Sequence, residues 1–563
     1  MLSKLIYRYA VFKGTKVLVR FNKTALKPME YNLKTLFQVL EENKDTEYGR
    51  KHNFSAIRTA EDFRSQVPYS NYDTYVPYIE KMKHGERNFI AKKPPVYFAS
   101  TTGTTMQRKA IPVSAKTRKM FGRFGSTFGF AIINRQLKNL WKKGKILNIM
   151  EMKTTDFPCG VKYGPVSGML IKTVKRYFPY TTTTPSKCVF TNYVFDNSYV
   201  HLRFALVYRK LSGISSAFMS SVTGLFWYLK DNWETLVDDI DKGTINKKID
   251  MPDEVRRSLM KKIKPDPIRA AELRKEFEKG FDGDVFKRVW PDLAFIYAIG
   301  SGAFVPHVEK AKIFTGGVPM YFSFFAASES LMAVCTEMDT LRYALLPESA
   351  FYEFIPIENC GDENPMSLTL DQVKLGEEYE IVLTNTSGFY RYRIGDVVKI
   401  VGMYGNTPEI RFSYRLSQEI NIVNEKMNDS HIQWAVGQCE EAFGCNILEY
   451  SVFPQIEPLP GKYVIFIEGD NEKLRPILRP LRNMLEEKLS VAHPRFGGYI
   501  KSGVLAPIEL KLVKEQTFAL YREFMIKNGT SANQIKPVRI IDTPEKEKFF
   551  FERVEEKEEN ADE

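Results

Sequence analysis

The sequence predicts an α/β protein built as a large N-terminal domain of mixed sheets and helices followed by a smaller C-terminal α/β domain. Three observations predict it. The chain has 563 residues, more than one hydrophobic core ordinarily serves. From about residue 95, short apolar runs alternate with longer helical stretches, the pattern of layered sheets and helices. A polar stretch around 424–430 then breaks the alternation, and a fresh one starts beyond it. The expected division is 1–416 for the large domain, 417–430 for a hinge, 431–544 for the small domain and 545–563 for a charged tail.

Composition narrows the class. Hydrophobic residues make up 44% and charged residues 26%, as in globular proteins. Lys and Arg number 81 against 68 Asp and Glu, a formal charge of +13. That balance attracts nucleic acid, an acidic membrane face or a phosphorylated small molecule without choosing among them. The cysteines, Cys159, Cys188, Cys335, Cys360, Cys439 and Cys445, contain no CxxC pair and read as free thiols in a reducing compartment. The histidines are dispersed without HExxH spacing, against a structural zinc site.

The elements follow in order. Over 1–22, Lys4, Arg8, Lys13, Lys16 and Arg20 interrupt the apolar residues, which argues against a secretory signal. A surface helix is expected, with weak contact to an anionic membrane as its alternative use. Residues 30–90 read as helices and loops. Strands are expected at 96–100, 146–150, 294–298 and 321–325, with a helix opening at Ser114. The longest uncharged run, 211–229, is long enough to span a bilayer, but its serines and glycines suit a buried helix flowing into 232–240. The chain is therefore expected to be cytoplasmic, without a transmembrane segment. Strands at 379–384 and 397–401 enclose a Gly- and Arg-rich turn at 387–396. Beyond the hinge come a helix at 432–443, strands at 447–452 and 463–468, and a helix at 474–489. The tail, mostly charge around Phe549-Phe550-Phe551, reads as a frayed end.

Three segments carry candidate chemistry. Ser100-Thr101-Thr102-Gly103-Thr104-Thr105, with Arg108 and Lys109, follows a strand, and small hydroxyl residues around a glycine let backbone N–H groups approach a phosphate. GxxxxGK[ST] is absent, so it is no Walker loop. In Phe325-Ala326-Ala327-Ser328-Glu329 a carboxylate closes a long uncharged stretch, which suits Mg²⁺ on a nucleotide or, more plainly, the start of a helix. In Gly388-Phe389-Tyr390-Arg391-Tyr392-Arg393-Ile394-Gly395-Asp396, the aspartate can accept from a ribose diol and the arginines can bind phosphate or carboxylate. The plain alternative is an Arg–Asp pair on a surface hairpin. Arg415 and Lys426 flank the hinge, and Lys536 precedes Pro537, which biases it to an extended backbone.

In this order the segments resemble the Gretchen Hagen family of acyl-acid amido synthetases, among the adenylate-forming enzymes, over roughly 32–539. Asp45-Thr46-Glu47-Tyr48-Gly49-Arg50, Glu61-Asp62-Phe63 and Tyr352-Glu353-Phe354-Ile355-Pro356 belong to the match. Its most specific piece is Tyr390-Arg391-Tyr392-Arg393-Ile394-Gly395-Asp396-Val397. The resemblance implies that a carboxylic acid and ATP give an acyl-adenylate, which an amine, usually of an amino acid, then converts to an amide. It implies that Thr102, Gly103, Thr104 and Thr105 hold the ATP phosphates and that Phe325 and Ser328 line the nucleotide. Glu329 places Mg²⁺, Asp396 holds the ribose and Arg415 lies beside it. Lys426 and Lys536 supply positive charge in catalysis, and the small domain is mobile. The acyl pocket is expected among residues 120–230 and the stretch before Glu329. Two departures stand out: Met106-Gln107 replaces a usual second glycine, which restricts the backbone, and Phe325 replaces a usual tyrosine. Two other readings are a thioester synthetase using coenzyme A and a non-catalytic basic module binding membrane or RNA. Under the resemblance no nucleic acid partner is expected.

Overall fold

The computed structural model describes residues 2–100, 109–138, 144–150, 154–190, 197–416, 420–423, 425, 427–527 and 535–555, with backbone alone at 171–174. The chain forms two compact units, 1–412 and 413–563.

The first unit opens with α1 (Leu2–Ala25) and the helices Pro28–Asn43, Glu47–Lys51, Ala60–Gln66 and Tyr72–Lys83. Polar caps start several of them. Thr59 and Asp62 form a reciprocal capping box, as do Asn71 and Thr74, which satisfies backbone donors the first helical turn leaves open. Then come β1 (Tyr97–Ser100), β2 (Ala110–Val113), β3 (Ile146–Ile149), β4 (Thr155–Asp156), β5 (Lys162–Gly164), β6 (Gly213–Phe218), β7 (Phe295–Ile299) and β8 (Met320–Tyr321). They make two four-stranded sheets, ordered β2-β1-β5-β4 and β3-β6-β7-β8. The second is parallel throughout, so helical crossovers such as Met219–Lys242 and Val305–Thr315 join its strands.

A third sheet follows from β9 (Phe324–Ala326), β10 (Leu331–Val334), β11 (Tyr343–Leu345), β12 (Phe351–Pro356), β13 (Glu378–Thr384), β14 (Tyr392–Tyr404) and β15 (Thr407–Arg415). Its order is β12-β13-β14-β15-β11-β10-β9. One continuous core runs through the first unit. α1 joins that core by one face only, burying Tyr7, Val11, Gly14 and Phe21. A Cβ on Gly14 would stand 2.0 Å from the Thr127 carbonyl oxygen, so the close helix crossing requires glycine there.

The second unit holds β16 (Ile447–Gln455), β17 (Lys462–Gly469) and β18 (Glu509–Leu512) in that order. β17 is buried along nearly its whole length, and its alternation serves two cores. Tyr463, Ile465 and Ile467 enter the core shared with the helices Asp429–Phe443 and Leu478–Ala492. Val464 and Phe466 face a second cluster with Tyr521 and Phe550.

That second cluster corrects the frayed tail. Residues Pro544–Phe551 are a helix capped by Thr543. Phe550 is fully buried and packs 5.0 Å from the Phe518 ring. The aromatic triplet covers the second face of β17, an apolar gain that outweighs the charge around it. Two further expectations change. The uncharged run 211–229 is divided between β6 and a helix that starts at Met219, because Gly213 leaves room for the Phe295 ring, 2.5 Å from where a Cβ would stand. The strand expected at 321–325 is cut at Ser323, whose φ is +24°, and its halves join different sheets. Among the described residues no helix is long and apolar enough to cross a membrane.

His201 is buried in the first unit, 2% exposed, with Nδ1 2.8 Å from Thr184 Oγ1. Burial lowers its pKa from 6.5 to about 4. The unfolded chain therefore takes up this proton before the folded one does. The stability that depends on neutral His201 is complete above pH 6.5 and is lost as pH falls towards 4. Urea melts across that window should show unfolding free energy falling with acid and a shallower slope for His201→Gln. An unchanged slope would place the acid sensitivity elsewhere.

Candidate active site

The turn between β13 and β14, residues 385–391, is the framework of the site. Asn385 Oδ1 accepts from the backbone N–H of Ser387 at 2.8 Å and of Phe389 at 3.4 Å, an Asx-type turn. Its Nδ2 donates to the Glu329 carbonyl at 2.9 Å. Gly388 has φ +97°, and a Cβ there would lie 2.8 Å from the Ile90 carbonyl oxygen, so only glycine closes this turn.

Arg391 ends the turn in a left-handed conformation, φ +43°, which is uncommon for a residue with a side chain. Its buried guanidinium is engaged on every side. Nε and Nη2 donate to the Glu353 carboxylate at 2.9–3.2 Å, and Nη1 donates to the carbonyls of Arg64 at 2.6 Å and Val67 at 2.9 Å. The Tyr69 ring lies 3.8 Å away. Arg393 is likewise held by Glu380, with Nη2 to Oε2 at 2.6 Å. This corrects the expectation that both arginines bind a ligand. They are also no surface Arg–Asp hairpin pair, because their partners are the buried glutamates of β12 and β13.

Tyr75 and Tyr390 brace the same turn. The Tyr75 hydroxyl accepts from Tyr390 N at 2.9 Å and donates to Tyr390 O at 3.2 Å. Tyr390 Oη donates to Ile90 O at 2.6 Å. Burial raises both phenols well above their ordinary pKa, so they keep the protons these bonds use. Tyr48 stacks on Tyr390 at 4.9 Å.

β14 then carries the candidate ligands. Tyr392, its first residue, donates from Oη to Glu329 Oε1 at 3.1 Å. Pairing with β13 slips between Arg393, opposite Val382, and Val397, opposite Glu380. Ile394, Gly395 and Asp396 therefore bulge opposite Ile381, and Gly395 adopts φ +77°. Such bulges re-aim side chains beside active sites. Asp396 lies in this one, 5% exposed.

Glu329, 8% exposed, opens no helix, contrary to the plainer expectation. It stands in the turn between β9 and β10. Ser328 Oγ beside it donates to Ser100 O at 3.4 Å, which ties this turn to the end of β1, where the hydroxyl loop departs. Thr102, Gly103, Thr104 and Thr105 lie outside the described residues, as do Met106, Gln107, Arg108 and Lys426. Beyond that loop, Lys109 Nζ is 4.9 Å from the Tyr72 ring centroid. Ser100, Ser328, Glu329 and Tyr392 are thus joined in one network, with Asp396 farther along the Tyr392 strand. Phe325 is buried, its ring 5.9 Å from Phe412.

The second unit carries the other candidates. Arg415 is the half-buried last residue of β15. Lys536 is exposed just before a segment anchored on β16, where Val452 and Ile541 or Arg539 exchange backbone bonds at 2.9 Å. Asn385 and Glu353 were missed as organising residues. An Asn-Thr-Ser-Gly string signals the first, but the role of Glu353 depends on a partner far along the chain.

The fold is shared with solved ligase structures. The structure of 2-hydroxyisobutyryl-CoA ligase in its postadenylation state matches it with TM-score 0.53 and 14% identity, covering 91% of this chain and 89% of that one. The GH3.15 acyl acid amido synthetase matches with TM-score 0.84 and 23% identity over 96% of each chain. The GH3 family N-terminal domain matches residues 17–320, the central domain 343–415 and the C-terminal domain 430–545. The chain belongs to the GH3 family. Its relatives include the indole-3-acetic acid-amido synthetase GH3.8 of Oryza sativa subsp. indica, 27% identical over 91% of this chain and 88% of that protein. The jasmonoyl--L-amino acid synthetase JAR4 of Nicotiana attenuata is 28% identical over 90% of each.

Removing Glu353 leaves Arg391 charged, buried and unpaired. Glu353→Ala should lower unfolding free energy by about 3–5 kcal/mol in denaturant melts. A loss under about 1 kcal/mol, the size of an exposed pair, would show that Arg391 does not hold the turn.

Proposed function

We propose that this chain is an ATP-dependent, AMP-forming ligase that joins a carboxylic acid to the amine of an amino acid. The acid's carboxylate attacks the α-phosphorus of ATP, and pyrophosphate leaves. The amine then attacks the acyl carbonyl carbon, the bond to the adenylate oxygen breaks, and AMP leaves. The observation that carries this reading is the joining of the Ser328–Glu329 turn to the β1 end by Ser328 and to the β13–β14 turn and β14 start by Asn385 and Tyr392. Two buried carboxylates, Glu329 and Asp396, stand with them.

Each residue has a task in this reading. Thr102, Gly103, Thr104 and Thr105 bind the ATP phosphates, with Ser328 at the edge of that loop and Phe325 as apolar backing. Asp396 accepts from the ribose hydroxyls. Mg²⁺ fits Glu329, since that ion is held by one or two carboxylates together with substrate phosphates. When bound it neutralises phosphate charge. Tyr392 fixes the rotamer of Glu329 by its hydrogen bond. Arg415 contacts the nucleotide, and Lys426 and Lys536 carry positive charge to the phosphoryl oxygens. The small domain, hinged between 417 and 430, moves during the cycle, and the reaction is a cytoplasmic one.

Acid-dependent ATP–pyrophosphate exchange across aromatic, fatty and small acids tests the first step, and amide formation with amino acids tests the second. Asp396→Ala should lower kcat/KM about 10- to 100-fold, the size of a lost charged hydrogen bond, and Lys536→Ala about 100- to 1000-fold, with melting unchanged. Full activity in both variants refutes these assignments. No exchange with any acid, and no ATP binding by calorimetry, refutes the enzyme. Product formed with coenzyme A but not with amino acids makes it a thioester synthetase.

A further inference from the structure

α1 has two apolar faces, and the fold uses only one. The buried face holds Tyr7, Val11, Gly14 and Phe21. On the opposite side Leu2, Leu5, Tyr9, Phe12 and Val19, with Leu26 just past the helix, are 48 to 58% exposed. Their spacing of three and four residues, completed by Lys16 and Lys23, makes one continuous stripe along the helix.

The charge on this segment has one sign. Before Glu30 the sequence contains no acid, and it contains seven Lys and Arg against a chain total of +13. Arg20 is taken by Glu348 at 2.6 Å and Lys27 by Glu30 at 3.3 Å. Among the described residues, Lys4, Arg8, Lys13, Lys16 and Lys23 have no acidic partner. Lys16 Nζ stands 4.4 Å from the Phe12 ring centroid and Lys13 Nζ 5.4 Å from that of Tyr9. The cations therefore run alongside the apolar stripe, where their stems cover it and their heads reach outward.

We infer that this face of α1 is a docking surface for an anionic lipid bilayer, with the helix lying in the headgroup plane. Aromatic and aliphatic side chains on one line and basic ones beside them are what such a helix needs. A second copy of this chain would bring like charges together at Lys16 and Lys23 with no acid to pair them. A nucleic acid would neutralise the cations but leave Leu2, Leu5, Val19 and Leu26 unburied.

The test is co-sedimentation of the full chain with phosphatidylcholine vesicles, with and without phosphatidylserine. It is run at about 0.1 M and about 1 M salt, where the screening length falls from about 10 to about 3 Å. Binding should require phosphatidylserine and fall at least about tenfold in high salt. Leu5→Glu/Phe12→Glu, which spoils the stripe, and Lys13→Gln/Lys16→Gln/Lys23→Gln, which removes charge alone, should each reduce it as far. Unchanged melting temperatures would show both variants folded. Wild-type protein that ignores phosphatidylserine, or variants that bind as wild type does, overturn the inference. So does a dimer in sedimentation velocity that Leu5→Glu/Phe12→Glu abolishes in a protein that ignores vesicles, or retention on a polynucleotide with no retention on vesicles.

Discussion

The buried pair of Arg391 and Glu353 is the constraint on which the site depends. A guanidinium with four hydrogen-bonded acceptors and an aromatic face cannot shift without stranding a charge in the core. It therefore holds its own backbone at φ +43° and fixes where β14 begins. Tyr392 follows directly and reaches Glu329. The bulge that carries Asp396 comes next on the same strand. The distance from a salt bridge to the candidate chemistry is thus a few residues of one strand.

Seen from that pair, the segments that resemble the family have unequal roles. Tyr48 stacks on Tyr390, Asp62 caps the helix that presents Arg64, and Glu353 neutralises Arg391. These residues support the turn rather than face a substrate. The small unit follows a different logic. Its central strand β17 buries both faces, so it needs cover on both, and the helix with Phe549-Phe550-Phe551 supplies the second. What looks in the sequence like a charged end is one wall of a core.

The basic balance also has a place in the structure. Much of it is concentrated in α1, on the side away from the core, while interior cations such as Arg391, Arg393 and Arg539 are paired with carboxylates. Net charge therefore describes a surface here, and says little about the site.

The sequence by itself determined the layered α/β class, the restart of the pattern beyond 430, the strands at 379–384 and 447–452, and the family resemblance. Local signals carry all of these: apolar periodicity, capping residues and turn glycines act over a few neighbours. It also singled out Glu329, which closes an uncharged stretch, and Asp396, which follows a glycine turn, as candidate ligands. Tertiary structure alone decided that Arg391 and Arg393 are internal struts, that Gly213 opens a strand and that residues 544–551 close a core. It also joined Glu329 to Tyr392, 63 positions apart. The reason is physical: whether a charge is a ligand or a strut depends on the partner that desolvation forces it to find, and that partner is close in space, not in sequence.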